Sequence, residues 1–432
     1  MSSPQDQLIT LLKKKGTGPT MSKSLRNEDL TLVDELLQND DVNSITKATL
    51  LTALLTLEPN QDEAEWLEKI THSPDRLPDE LQPLVPQQMT TDPFLKIIHR
   101  VIQHHDLSAQ DFMMALECLF NPALPAPYKA AFLEAERLKR ESEEENETCL
   151  LDFIHRSNHH RMDIPLLVDL ANPYDGFNRT PNLSPFLAAL LSSIGIPVVL
   201  HGLESVGPKY GVTPLKLLKA AGQPISLPVS ETLRRIKDEN CGWGYIDQQQ
   251  SFPMLFDLLD LRKNMVKRPI LSTIEKLLCP IYSTTRHLVV TGYTHPPYRQ
   301  KSIGLYRHHP FIQEGIIIRG VEGSSQLPMD RRAPFIRMNG QDVTETFVSP
   351  DQYNIKKYDR QPPQSDITAA SNLQLGVDAL QGNPGWAKDQ LMYQALVIIS
   401  GFNIKPIEDA LSALCLSIET GMAFKHWKEG IS

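Results

Sequence analysis

Residues 166–202 read LLVDLANPYDGFNRTPNLSPFLAALLSSIGIPVVLHG: a short apolar run, a polar turn, a longer apolar stretch, and a second short run ending on His201-Gly202. Runs this short and this rich in Val and Ile fit strands buried on both faces, because a parallel sheet carries helices on each side. HLVVTGY at 287–293 and EGIIIRG at 314–320 repeat the pattern, and helical texture follows each run. From residue 161 the chain therefore reads as an α/β domain with a central, mostly parallel sheet. Residues 338 to about 370 are polar with turn signals, and 371–432 close the chain in amphipathic helices.

Upstream of 161 the pattern is helical, and one unit occurs twice. Residues 29–67 lie over 111–149 without a gap, so that Asp29 meets Asp111, Glu35 meets Glu117, Lys47 meets Lys129, Ala48 meets Ala130, and Ala53 meets Ala135. Each copy reads as helix, short turn, helix, with a further helix ahead of it (LITLLKKK and FLKIIHRVIQ). Chance likeness of two amphipathic helix pairs is the competing reading. The Pro-rich stretch THSPDRLPDELQPLVPQQMTTDP, 71–93, reads as the linker between copies. The expected organisation is an extra helical unit at 1–90, a second helical unit at 94–160, and the α/β domain at 161–432.

Composition bounds the function. With 41% hydrophobic and 22% charged residues over 432 positions, the chain has globular averages and is long enough for two or three domains. No apolar run reaches the ~18 residues a membrane span needs. The start, MSSPQDQLITLLKKKG, carries charge where a secretory signal needs an apolar stretch, so a cytoplasmic protein without membrane contact is expected. Cys118, Cys149, Cys241, Cys279 and Cys415 form no C-x-x-C pair, so neither a disulfide framework nor a zinc knuckle is indicated. Net charge is −9, yet residues 231–337 hold 16 Lys+Arg against 10 Asp+Glu, and no carboxylate falls between Glu275 and Glu314. That asymmetry suggests a surface facing anions; the alternative is cations scattered over several faces.

With these blocks in place the chain resembles the anthranilate phosphoribosyltransferases of glycosyl transferase family 3, over nearly its whole length. In that family a strand leads into G-T-G-G-D-G, then an N-x-S-T helix start, a K-H-G strand end and an S-x-K-x-G segment. Here the loop is Ala171-Asn172-Pro173-Tyr174-Asp175-Gly176, the helix start is Asn182-Leu183-Ser184-Pro185, and the strand ends at His201-Gly202. Ser205 through Gly211, with Lys209, continue the match, and GNPGWAKDQLMYQALVIISG resembles a closing helix of the family. The resemblance implies a small all-helical N-terminal domain plus a larger α/β domain of the anthranilate phosphoribosyltransferase/nucleoside phosphorylase type, with phosphoribosyl diphosphate in the crevice between them. It also implies a homodimer through the helical domain, and it makes 94–160 the family's helical domain with 1–90 as the extra copy.

The match departs from the family where the chemistry lies. A diphosphate loop needs glycines so that backbone N–H groups approach the anion, and Pro173 and Tyr174 instead remove a donor and add bulk. The adjacent acids that bind magnesium in the family correspond to Ser325-Gln326, leaving Glu322 as the nearby carboxylate. TIEKLLCP, 273–280, has a lysine where the enzymes have Gly-Pro; it resembles the non-enzymatic branch, whose members are nucleic-acid-binding homodimers.

The phosphate contacts implied by the resemblance are Asp175, Gly176, Asn182, Ser184, His201, Lys209, Arg262 and Arg268. Each has a plainer reading, as a turn former, a helix cap, a surface lysine, a satisfied strand-end histidine or a structural ion pair. Ser184 opens a helix, so its N–H and hydroxyl are expected to point at an anion. Lys276, Arg286, Arg299, Lys301 and Arg307 are the expected nucleic-acid contacts, with Tyr282, Tyr293, Tyr298 and Tyr306 available for stacking. The expected function is binding of a phosphate-bearing ligand or nucleic acid without phosphoribosyl transfer, and without cofactor. The alternative is an active family 3 glycosyltransferase, of phosphoribosyltransferase or nucleoside phosphorylase type, with a remodelled donor site; that reading alone calls for Mg2+.

Overall fold

The structure, a computed structural model, describes residues 2–18, 20–86, 90–223, 227–359 and 366–432; residues 87–89 of the expected linker lie outside them. Helices α1 (Pro4–Lys15), α2 (Asn27–Gln38), α3 (Ser44–Thr56), α4 (Gln61–His72), α5 (Pro93–Ile102), α6 (Ala109–Phe120), α7 (Ala126–Lys139) and α8 (Glu143–Arg156) come first. Then follow β1 (His160–Met162), β2 (Leu167–Ala171), α9 (Ser184–Ser192), β3 (Val198–Gly202), α10 (Pro214–Ala220), α11 (Val229–Lys237) and β4 (Trp243–Asp247). Four short helices, α12 (Gln248–Ser251), α13 (Pro253–Phe256), α14 (Leu259–Met265) and α15 (Leu271–Ile274), lead to β5 (Ile281–Ser283), β6 (His287–Gly292), α16 (Pro297–His308) and β7 (Glu314–Ile318). The chain ends with β8 (Ala333–Asn339), β9 (Asp342–Val348), α17 (Ala369–Leu380), α18 (Trp386–Gly401), α19 (Ile407–Glu419) and α20 (Met422–Ile431). No helix among the described residues is long and apolar enough to cross a membrane.

Two compact units emerge: Met1–Asp152 with Met254–Ile274, and Phe153–Pro253 with Glu275–Ser432. The helical unit thus includes 254–274, which sequence order assigns to the α/β domain. The reason is packing: α14 lies on α3 and α7, and the Thr46 hydroxyl donates to the Asn264 carbonyl at 2.8 Å.

Within this unit the doubled pattern has a structural counterpart. An offset of 82 residues carries α2 onto α6, α3 onto α7 and α4 onto α8 with starts coinciding at 27/109, 44/126 and 61/143. The caps repeat as well. Glu63 accepts from the N–H of Leu25 at 2.9 Å and of Asn60 at 3.0 Å; Glu145, 82 positions on, accepts from Leu107 at 2.8 Å and Ser142 at 2.6 Å. Each carboxylate is fully buried against a lysine, Lys15 for Glu63 and Lys139 for Glu145. The equivalent helices α3 and α7 pack along one another at the centre, where Ala48, Ala53, Ala130 and Ala135, all without exposed surface, keep the facing surfaces small.

In the α/β unit a seven-stranded sheet runs β4-β3-β2-β6-β7-β8-β9, parallel from β4 through β7, with β8 and β9 added antiparallel. β1 and β5 form a separate parallel pair. The hairpin of β8 and β9 runs into the stretch read as polar turns, because β9 is an edge strand exposed along most of its length and carries no apolar signature. Alternation sorts the strand residues by face. Val168, Leu170, Val198, Leu200, Leu288, Val290, Ile316 and Ile318 join the main core with α9 and the C-terminal helices. Leu167, Val199 and Ile246 face a smaller apolar cluster on the other side, and on that face Asp169, His201 and His287 are buried with them.

Candidate functional site

From β2 the chain crosses to β3 on one side, and from β6 it crosses to β7 on the other. Loops leaving the carboxyl ends of β2 and β6 therefore diverge, which in an open parallel sheet marks the ligand crevice. The segments gathered there are 172–180 after β2, 203–211 after β3, 293–295 after β6 and 320–326 after β7.

Asp169 is fully buried at the middle of β2, and a buried carboxylate requires a partner. His201 Nε2 lies 2.9 Å from its Oδ1, and the Tyr174 hydroxyl lies 2.6 Å from His201 Nδ1. With Nε2–H donating to the carboxylate, the phenol donates to Nδ1, so the three form one chain. Tyr174 is 3% exposed and edge-on to the imidazole. Burial, together with Glu275, Tyr245, Asp169 and Asp247, pushes its phenol well above the ordinary range, so it stays neutral. The Tyr174 side chain thus packs inward and is held there.

The other replacements meet one another. Asn172 Oδ1 accepts from both the N–H and the hydroxyl of Ser325 at 2.9 Å. Gln326 accepts from the Leu183 N–H at 3.2 Å and donates to the Pro181 carbonyl at 3.1 Å. Residues standing for the diphosphate loop and for the metal pair are in this way cross-linked by hydrogen bonds.

Glu322 completes the arrangement. Its carboxylate accepts from the N–H groups of Asn178 (3.3 Å), Arg179 (2.9 Å) and Thr180 (3.0 Å) and from the Thr180 hydroxyl (3.0 Å). Lys209 Nζ lies 3.2 Å from the same carboxylate and donates to the Gly176 carbonyl at 3.0 Å. Consecutive N–H groups with a cation form an anion nest, and here the anion is a side chain of the same protein. Burial raises the Glu322 pKa, but Lys209 and the N–H groups of Arg179 and Asn178 outweigh it and leave the carboxyl below its ordinary value. Magnesium does not fit: Glu322 is surrounded by donors and a cation, and Ser325 and Gln326 offer no charge.

The expected anion contacts divide accordingly. Gly176 (φ 73°) turns against Gly211, where a Cβ would meet backbone at 2.8 Å, and Asp175, 4% exposed, lies 3.8 Å from Lys209. Ser184 opens α9 as expected, and its N–H and hydroxyl both go to Asn182 Oδ1, at 3.1 and 2.6 Å, while Asn182 donates to the Val212 carbonyl. His201 faces Asp169 and Tyr174. Arg262 and Arg268 belong to the helical unit, Arg262 buried with a 3.3 Å bond to Ser272 and Arg268 exposed.

The expected nucleic-acid contacts do not form one face. Lys276 is buried and donates to the Gly292 carbonyl at 2.6 Å. Arg286, preceding β6, pairs with Glu314 at the amino end of the sheet. Because α16 runs back along the sheet, Arg299 and Lys301 start near the crevice and Arg307 ends away from it. Arg299 pairs with Glu345, and Lys301 lies over the Tyr298 ring at 5.5 Å. Two cations that sequence reasoning passed over stand at the crevice, Arg179, whose side chain is 74% exposed, and Arg319, also exposed. Tyr210 and Tyr298 are exposed by 47% and 41%.

No protein-family model matches the chain. An uncharacterized protein of Aquifex aeolicus is 29% identical over 242 residues, 55% of this chain and 70% of that protein. The anthranilate phosphoribosyltransferase of Petrotoga mobilis is 21% identical over 333 residues, 77% of this chain and 94% of that one. Among solved structures, anthranilate phosphoribosyltransferase from Thermus thermophilus superposes with a TM-score of 0.63 at 16% identity, covering 78% of this chain and 98% of that chain. The Saccharomyces cerevisiae enzyme in complex with PRPP and Mg gives 0.63 at 14%, covering 78% and 96%. The chain thus has the fold of the anthranilate phosphoribosyltransferases and a sequence similar to theirs.

Proposed function

We propose that this protein binds the phosphate backbone of a nucleic acid at the mouth of the crevice and does not transfer a phosphoribosyl group. The observation that carries the second half is Glu322, which occupies the anion nest of Asn178, Arg179, Thr180 and Lys209. Tyr174, buried in the loop, supports it. The first half draws on Arg179, Arg319, Arg299 and Lys301 with Tyr210 and Tyr298 near the carboxyl ends of the strands, since backbone binding needs cations and stacking surfaces but neither metal nor catalytic base. A homodimer through the helical unit belongs to the same proposal, and sedimentation would read it.

One observation favours the second reading, a family 3 transferase with a remodelled donor site. The nest is intact, and withdrawing Glu322 would leave its N–H groups and Lys209 for a phosphate. Calorimetry with phosphoribosyl diphosphate, with and without magnesium, separates the two. No heat in either titration, with salt-sensitive binding of a single-stranded oligonucleotide, is the expected result; tight magnesium-dependent binding would overturn it.

A further inference from the structure

Three fully buried side chains gather on the sheet face opposite the main core: Asp169 on β2, which also holds His201, His287 at the start of β6, and Cys279 just before β5. One ligand atom from each lies within 4.8 Å of the others. Neither ring nitrogen of His287 has a hydrogen-bond partner, and Asp169 Oδ2 has none either, its Oδ1 being taken by His201. A buried polar atom without a protein partner calls for one, an ion or a water.

The separation says what kind of partner. His287 Nε2 stands 3.8 Å from Asp169 Oδ2, too far for a hydrogen bond. Two nitrogen or oxygen ligands on one tetrahedral zinc, with bonds of ~2.0 Å, stand roughly 3.3 Å apart, so this pair would close by about 0.5 Å around the ion. We propose that Asp169, Cys279 and His287 bind a zinc ion. Thiolate, imidazole and carboxylate together are a donor set for zinc and a poor one for magnesium or calcium.

Two features of the surroundings agree. A carboxylate ligand is oriented by its own hydrogen bonds, and Asp169 is fixed by His201, which Tyr174 fixes in turn. Cys279 sits at φ 48°, a left-handed conformation that a residue with a Cβ adopts only where its surroundings impose it. The ligands come from three separated segments, so no C-x-x-C or histidine spacing announces the site. The ion would be closed within the α/β unit, a structural site that ties β2 to β6, with a fourth, non-protein ligand.

The test uses the full chain produced in zinc-supplemented medium and measured by mass spectrometry for metal. About one zinc per chain is expected, lost in His287→Ala. Cobalt loaded in place of zinc should give a thiolate-to-cobalt charge-transfer band that Cys279→Ser abolishes. If either variant fails to fold, the wild-type metal content and cobalt spectrum decide alone. Zinc far below one per chain, with no rise in melting temperature when zinc is returned to chelator-treated protein, would assign these atoms to a buried water and end the proposal.

Discussion

A phenol hydroxyl 2.6 Å from a buried imidazole is a bond whose loss has a definite cost. Tyr174→Phe keeps the ring in place and strands His201 Nδ1, so unfolding free energy should fall by about 1–3 kcal/mol in urea denaturation. Glu322 governs an acid-side effect. Its folded-state pKa lies below the ordinary 4.5, so the stability it contributes is whole above that value and drains away as pH falls through the lower folded value. Denaturation midpoints followed downward from about pH 6 should drop for the native chain and drop less steeply for Glu322→Gln. Asp169 was open to reading, since a carboxylate inside LLVDL demands a partner, but naming His201 required the register of β2 on β3. The seat of Glu322 was not open to reading: it depends on a left-handed backbone at that residue (φ 54°), which a glutamate does not announce.

Among elements, the repeated capping carboxylates allow two equivalent positions to be compared. Glu63→Ala leaves Lys15, 1% exposed, with only the Glu58 carbonyl at 3.5 Å among the described residues, and should cost about 3–5 kcal/mol. Glu145→Ala leaves Lys139 with Asp106 at 2.9 Å and Glu136 at 3.7 Å, so its cost should be the smaller of the two in the same denaturation series. The correspondence of α2–α4 with α6–α8 was legible because apolar and alanine positions keep helical register over an ungapped alignment. The edge strand β9 was not, since exposure on both faces removes the alternation that marks a strand. The partner of Ser184 was not legible for a related reason: a helix-opening serine is the same residue whether it faces an outside anion or the asparagine two places before it.

Over the whole molecule, the fold was legible because strand runs keep their order and spacing, whereas the placement of cations was not. A carboxylate-free stretch in sequence becomes both ends of a sheet once α16 reverses direction. Binding should therefore depend on the crevice end alone. Arg179→Ala with Arg319→Ala should weaken oligonucleotide binding and reduce the slope of log affinity against log salt by about 0.7 for each phosphate left unneutralised. Arg286→Ala and Arg307→Ala, away from the crevice, should leave that slope where it is; fluorescence anisotropy over a salt series reads all four.

The inclusion of 254–274 in the helical unit has a consequence for how the chain is made. Synthesis is vectorial, and when residue 152 has left the ribosome the surface of α3 and α7 that receives α14 is still bare. About a hundred residues of strands and helices must emerge before its cover exists, so the nascent protein carries this face uncovered while residues 153–253 are made.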